Sequence, residues 1–154
     1  MNADSRCTID TNILIYGVDR DADEKHVLAR ELIGGVAKHG GILTVQALGE
    51  FFHATTRKNL LNTEIASQFI DDWRAVFSIV AANEAALERA IIASQASQYS
   101  FWDAMICATA DIANCNVILS EDMQHGASFG GVTIVNPFAI DAKSWIDRIL
   151  SDPR

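Results

Sequence analysis

The chain is poor in the residues that divide or staple a protein. Its two prolines, Pro137 and Pro153, form no Pro-rich linker. No Gly/Ser-rich stretch, low-complexity segment or internal repeat interrupts the 154 residues, so one compact unit over 1–154 is expected. The three cysteines, Cys7, Cys107 and Cys115, are odd in number, contain no C-x-x-C pair and each lie in apolar sequence. That excludes a disulfide scaffold and reads as buried thiols in a reducing compartment, the cytoplasm. No apolar run approaches the ~20 residues of a membrane span. The opening, 1–6, is polar and lacks the apolar segment of a secretory signal.

Positive charge is also scarce. Twelve Lys and Arg stand against twenty Asp and Glu, a formal net charge of −8. This excludes a domain that holds nucleic acid on a broad basic face, where affinity comes from phosphate neutralisation. It leaves open a site built of carboxylates, whose field a bound divalent cation reverses. Simple solubility explains the acidity equally well.

Several catalytic signatures are missing. His26, His39, His53 and His125 make no H-E-x-x-H or other zinc spacing. There is no Gly-rich phosphate loop and no G-x-S-x-G element. Asp19, Asp21 and Asp23 imitate the start of a calcium loop, but its sixth position is Glu24 rather than Gly and its twelfth is Arg30 rather than Glu. Cys107 lies in an apolar helix, a poor setting for a nucleophilic thiolate.

Short apolar runs alternate with helical stretches. Strands are expected at Cys7–Ile9, Ile42–Thr44, Ser78–Val80, Val117–Leu119 and Val132–Val135, the last stopped by Asn136-Pro137. Helices are expected over 11–18, 24–38 with its end weakened by Gly34-Gly35, 45–61, 64–77 capped by Thr63, 84–98, 102–114 and 139–150. The strands are continuous apolar runs without polar alternation. That pattern belongs to a mainly parallel sheet of about five strands covered on both faces, a three-layer α/β/α sandwich. Ligands of such sheets gather beyond the carboxyl ends of the strands.

Asp10 and Asp122 follow the first and fourth strands, with Glu121 beside Asp122. Either aspartate is as readily a helix cap as a site residue. Asp103 lies in Phe101-Trp102-Asp103-Ala104-Met105-Ile106-Cys107, amid large apolar groups. A helix dipole contributes only ~0.3–1 kcal/mol to an acid there, whereas an unpaired buried carboxylate costs several. A cation is its natural partner. The bland alternative is an exposed acid in the first turn of a helix. Glu50 shares a helix face with Gln46, His53 and Arg57, and alone reads as a solvated glutamate.

Ile9-Asp10-Thr11-Asn12-Ile13-Leu14 resembles the opening of PIN-domain nucleases, especially the toxins of VapBC toxin–antitoxin pairs. The resemblance continues through Glu50, through Phe101-Trp102-Asp103-Ala104-Met105-Ile106, and through Leu119-Ser120-Glu121-Asp122-Met123-Gln124-His125-Gly126. It ends at Val135-Asn136-Pro137-Phe138, so it spans nearly the whole chain in order. The resemblance implies an α/β/α fold with Asp10, Glu50, Asp103 and Asp122 meeting in one pocket. Of these, Asp10, Asp103 and Asp122 would hold Mg²⁺ or Mn²⁺, and Glu121 is the alternative to Asp122. Thr11, Asn12 and Ser120 would orient the carboxylates. It further implies an endoribonuclease acting on RNA, held by a small antitoxin protein and commonly a homodimer; the lack of a long apolar run, separately, leads to the expectation of no membrane association. Arg57, Lys58 and Arg74 are candidate phosphate partners, and equally plain surface charges.

Three rivals use similar acids. A receiver-like signalling module phosphorylated on Asp needs a lysine after its last strand, where this chain has Val135-Asn136-Pro137. A non-catalytic PIN-like binding protein would lack an acid, yet all four positions are filled. A phosphatase needs Asp-x-Asp, but Asp10 precedes Thr11-Asn12.

Overall fold

The computed structural model describes residues 6–153; the rest of the polar opening, 1–5, lies outside them. Six strands and seven α-helices run in the order β1 (Cys7–Ile9), α1 (Thr11–Tyr16), α2 (Glu24–Lys38), β2 (Ile42–Thr44), α3 (Val45–Arg57), α4 (Thr63–Val76), β3 (Ser78–Val80), α5 (Glu84–Gln95), α6 (Phe101–Ile112), β4 (Val117–Leu119), β5 (Ser128–Phe129), β6 (Val132–Val135) and α7 (Lys143–Leu150). The architecture is an α/β/α sandwich on a mostly parallel sheet.

Two hydrogen-bonded groups of strands make up the middle layer. One has the order β1-β4-β6-β5, with β1, β4 and β6 parallel and β5 antiparallel to β6. The other is the parallel pair β2-β3. β2 lies beside β1, joined by the Thr8 hydroxyl, which donates to the Ile42 carbonyl at 3.0 Å. Every residue of β1, β2 and β4 is buried, as their unbroken apolar runs require. β3 is more exposed because it forms the outer edge, whereas β2 lies between β3 and β1.

Helices cover both faces. α6 packs on β2, β5 and β6 and against α5, while α2 packs on β1 and against α7. The near-continuous apolar sequence of α6 is accounted for, since 104–110 are all buried. α2 runs through Gly34-Gly35 to Lys38 because Gly35 admits α7: a Cβ there would sit 2.5 Å from the Ile149 carbonyl oxygen.

Some element ends differ from expectation. α3 stops at Arg57, and Asn59 then turns left-handed at φ +54°, a habit of Asn after helices. Asn62, not Thr63, caps α4, accepting from the Ile65 N–H at 2.8 Å. α1 ends at Tyr16, α5 at Gln95, and α7 begins only at Lys143. The strand β5 was not expected; it forms a short hairpin with β6 through Gly130, at φ +56°. Cys7, Cys107 and Cys115 are buried, and burial pushes their thiols up to about 12, 12 and 11. Among the described residues no helix is long and apolar enough to cross a membrane.

Candidate active site

The parallel register pairs Ile9 with Leu119 and Leu119 with Val135. The ladder continues one residue further: the Asp10 N–H donates to the Leu119 carbonyl at 2.8 Å and the Ser120 N–H to that of Val135 at 3.0 Å. Backbone pairing therefore sets Asp10 beside Ser120 at the carboxyl ends of β1 and β4.

Asp10 is 7% exposed and stands at the N-cap of α1. Its Oδ1 accepts from the Thr11 N–H at 2.8 Å and its Oδ2 from the Ser120 hydroxyl at 2.8 Å. Burial pushes its pKa up to about 6 despite those two bonds, and the charges of Asp103 and Glu50 push the same way. Asp10 is thus the cap that the bland reading expected, and it also feels the charges of two further carboxylates.

Glu50 is exposed on α3 and held at both oxygens. Thr11 Oγ1 donates to Oε2 at 2.9 Å, and Gln46 Nε2 donates to Oε1 at 3.0 Å. Asp103 is half-buried in the first turn of α6, whose cap is Ser100: its hydroxyl accepts from the Asp103 N–H at 3.3 Å. Among the described residues nothing donates to the Asp103 carboxylate, and no ion pair involves Asp10, Glu50 or Asp103. One turn later, the buried Cys107 thiol feels the charges of both Asp10 and Asp103 and packs 3.6 Å from Met123 Sδ. It stays protonated and offers no thiolate.

The two acids after β4 stand differently. Asp122 is exposed and is not among the charges acting on Asp10. Glu121 is tied down: Lys25 Nζ lies 2.6 Å from Oε2, Tyr16 OH donates to Oε1 at 2.6 Å, and its N–H donates to Asn12 Oδ1 at 3.2 Å. Burial raises the Glu121 carboxyl, but those bonds from Lys25 and Tyr16 win and hold it below the ordinary glutamate value. Sequence reasoning missed Ser100, Lys25 and Tyr16, and it set Gln46 on the face of Glu50 without giving it a part in the site. Ser100 could have been found as a cap three residues before an acid.

The donors suit a hard cation. They are all oxygen, and a buried carboxylate is surrounded by like charge with no cationic partner among the described residues. No three His, Cys, Asp or Glu side chains among the described residues are grouped so as to hold an ion. Mg²⁺ does not require three, since it usually takes one or two carboxylates and keeps several waters.

The fold resembles solved structures of known description. One is a toxin–antitoxin complex from Klebsiella pneumoniae, with 20% identity, a TM-score of 0.62, and coverage of 87% of this chain and 99% of the other. Another is VapC20, a sarcin-ricin loop cleaving toxin of Mycobacterium tuberculosis, with 17% identity, a TM-score of 0.57, and coverage of 73% and 86%. Among curated proteins none matches the chain in sequence. The family model of the PIN domain matches residues 7–126, a stretch that holds Asp10, Glu50, Asp103 and Asp122, and the chain belongs to the PIN domain family.

Proposed function

We propose that the chain is a metal-dependent endoribonuclease, the toxin of a toxin–antitoxin pair. The observation that carries this reading is Asp10: a buried carboxylate at the strand ends, raised to about 6, with two further carboxylates acting on it. Family membership and the likeness to a chain of a toxin–antitoxin complex and to a toxin support the same class.

In this reading Asp10 and Asp103 would hold Mg²⁺ or Mn²⁺, with Asp122, on the loop after β4, as the third acid. When bound, the ion supplies Lewis acidity toward the phosphodiester and makes water a stronger nucleophile at neutral pH. Ser120 and the Thr11 N–H fix the two oxygens of Asp10, and Asn12 steadies the turn after Ser120 through the Glu121 N–H. Glu50, exposed and held by Thr11 and Gln46, takes the proton of the attacking water. Glu121 stays in its ion pair with Lys25 and leaves the fourth place to Asp122. The substrate is RNA, the regulator a small antitoxin, and the working form a homodimer in the cytoplasm.

The test is cleavage of single-stranded RNA by purified protein with Mg²⁺, with EDTA, and with Asp10→Asn or Asp103→Asn. Cleavage that needs the ion and is lost in both variants supports the reading. Undiminished cleavage by either variant overturns the assigned site.

A further inference from the structure

We infer that Gln46 is a positioning residue that sets Glu50 against the start of α6. The inference rests on the reading of Glu50 as proton acceptor. A single amide nitrogen makes both contacts: Gln46 Nε2 donates to Glu50 Oε1 at 3.0 Å and to the Trp102 carbonyl at 3.0 Å. Glu50 belongs to α3, whereas Trp102 precedes Asp103 in the first turn of α6. One side chain therefore ties the helix carrying Glu50 to the turn carrying Asp103.

The direction of the amide is forced. Both partners are acceptors only, so a flipped amide would set its oxygen against a carboxylate and a carbonyl. The flip is resisted although it leaves Gln46 Oε1 buried with no hydrogen-bond partner. An orphaned acceptor costs stability and offsets much of the gain from the two bonds that Nε2 makes. The geometry points to orientation of Glu50. With Thr11 on Oε2 and Gln46 on Oε1, each oxygen of an otherwise exposed and mobile glutamate has one fixed donor. A carboxylate placed in this way remains accessible while losing the rotamer freedom that would carry it away from an attacking water.

Gln46→Met keeps the volume of the side chain and removes both donors together with the orphaned oxygen. The expected result is kcat on single-stranded RNA reduced about 10-fold or more, KM changed less than about 2-fold, and a melting temperature close to the parent's. In a Glu50→Ala background the same substitution should cost nothing further, because the two residues act as one unit. A crystal structure of Gln46→Met should show the Glu50 carboxylate displaced or without a single position. The inference is overturned if that carboxylate keeps its place, if kcat is unchanged, or if the loss persists in full beside Glu50→Ala. If the parent protein cleaves no RNA at all, the ribonuclease reading fails, and the Glu50 position in the Gln46→Met structure still decides whether Gln46 holds it.

Discussion

The Ser120 hydroxyl donates to Asp10 Oδ2 at 2.8 Å, linking residues 110 positions apart at the ends of two adjacent parallel strands. Ser120 is completely buried. Its bond opposes the upward push of burial on Asp10. Ser120→Ala should therefore raise the Asp10 pKa further and weaken Mg²⁺ binding about 10-fold near neutral pH, the usual cost of losing a group that orients a ligand. Calorimetric titration with Mg²⁺ at pH 7 measures this; an unchanged affinity would show that Asp10 needs no such support.

The raised Asp10 pKa has a direction in stability. The folded protein binds this proton more tightly than the unfolded chain, from 3.8 to about 6. Stability from this group is full below pH 3.8 and is lost as pH rises through 6, amounting to about 3 kcal/mol at most. Glu121 works the other way: its lowered pKa stabilises above the ordinary glutamate value of 4.5 and is lost in acid below it. Between pH 4.5 and 6 the trend of Asp10 should stand out. Without divalent ions, the stability advantage of Asp10→Asn over the parent should grow across that window. Urea melts in EDTA at several pH values would show it, and parallel curves for the two proteins would refute the burial argument.

Much of this fold was legible because its strands are continuous apolar runs, and all five expected strands begin and end where the sequence placed them. Helix ends were harder. α3 ends where Asn59 adopts a left-handed turn, and α7 starts late although 139–142 are compatible with helix. β5 is two residues long and exists only through its hairpin with β6, so no periodicity could announce it. In the candidate site, Asp10 was legible from its place after β1. The approach of Glu50 was not, because an exposed glutamate on an amphipathic helix carries no local mark, and only the order of motifs suggested it. The Gln46–Trp102 hydrogen bond and the Lys25–Glu121 pair join residues 56 and 96 apart, a relation no spacing rule contains.

Like charges around Asp10 make a divalent ion a stabiliser. Mg²⁺ at 100 times its Kd should add about 2.7 kcal/mol, or roughly 5–10 °C in Tm for a chain of this size. Asp103→Asn removes one of the two repelling charges that act on Asp10. It should raise the Tm in EDTA and shrink the Mg²⁺ increment to less than half. Thermal melts with and without Mg²⁺ give both numbers. An increment equal to the parent's would mean that Asp103 does not share the ion.

Adjacent glycines in α2 should respond oppositely to alanine. Gly34 is exposed, and a Cβ added there meets nothing within 4 Å. Gly34→Ala should stabilise by about 0.5–1 kcal/mol, because alanine loses less backbone entropy in a helix. At Gly35 the new Cβ would lie 2.5 Å from the Ile149 carbonyl oxygen and 3.1 Å from Ile149 Cγ2. The first contact is backbone, so relief requires α7 to move off α2, and Gly35→Ala should cost about 1–3 kcal/mol. At roughly 2–4 °C per kcal/mol, the two melting temperatures should fall on opposite sides of the parent's. Equal shifts would mean that the α2–α7 contact is not tight. Neither residue touches the carboxylates, so the response to Mg²⁺ should survive in both variants.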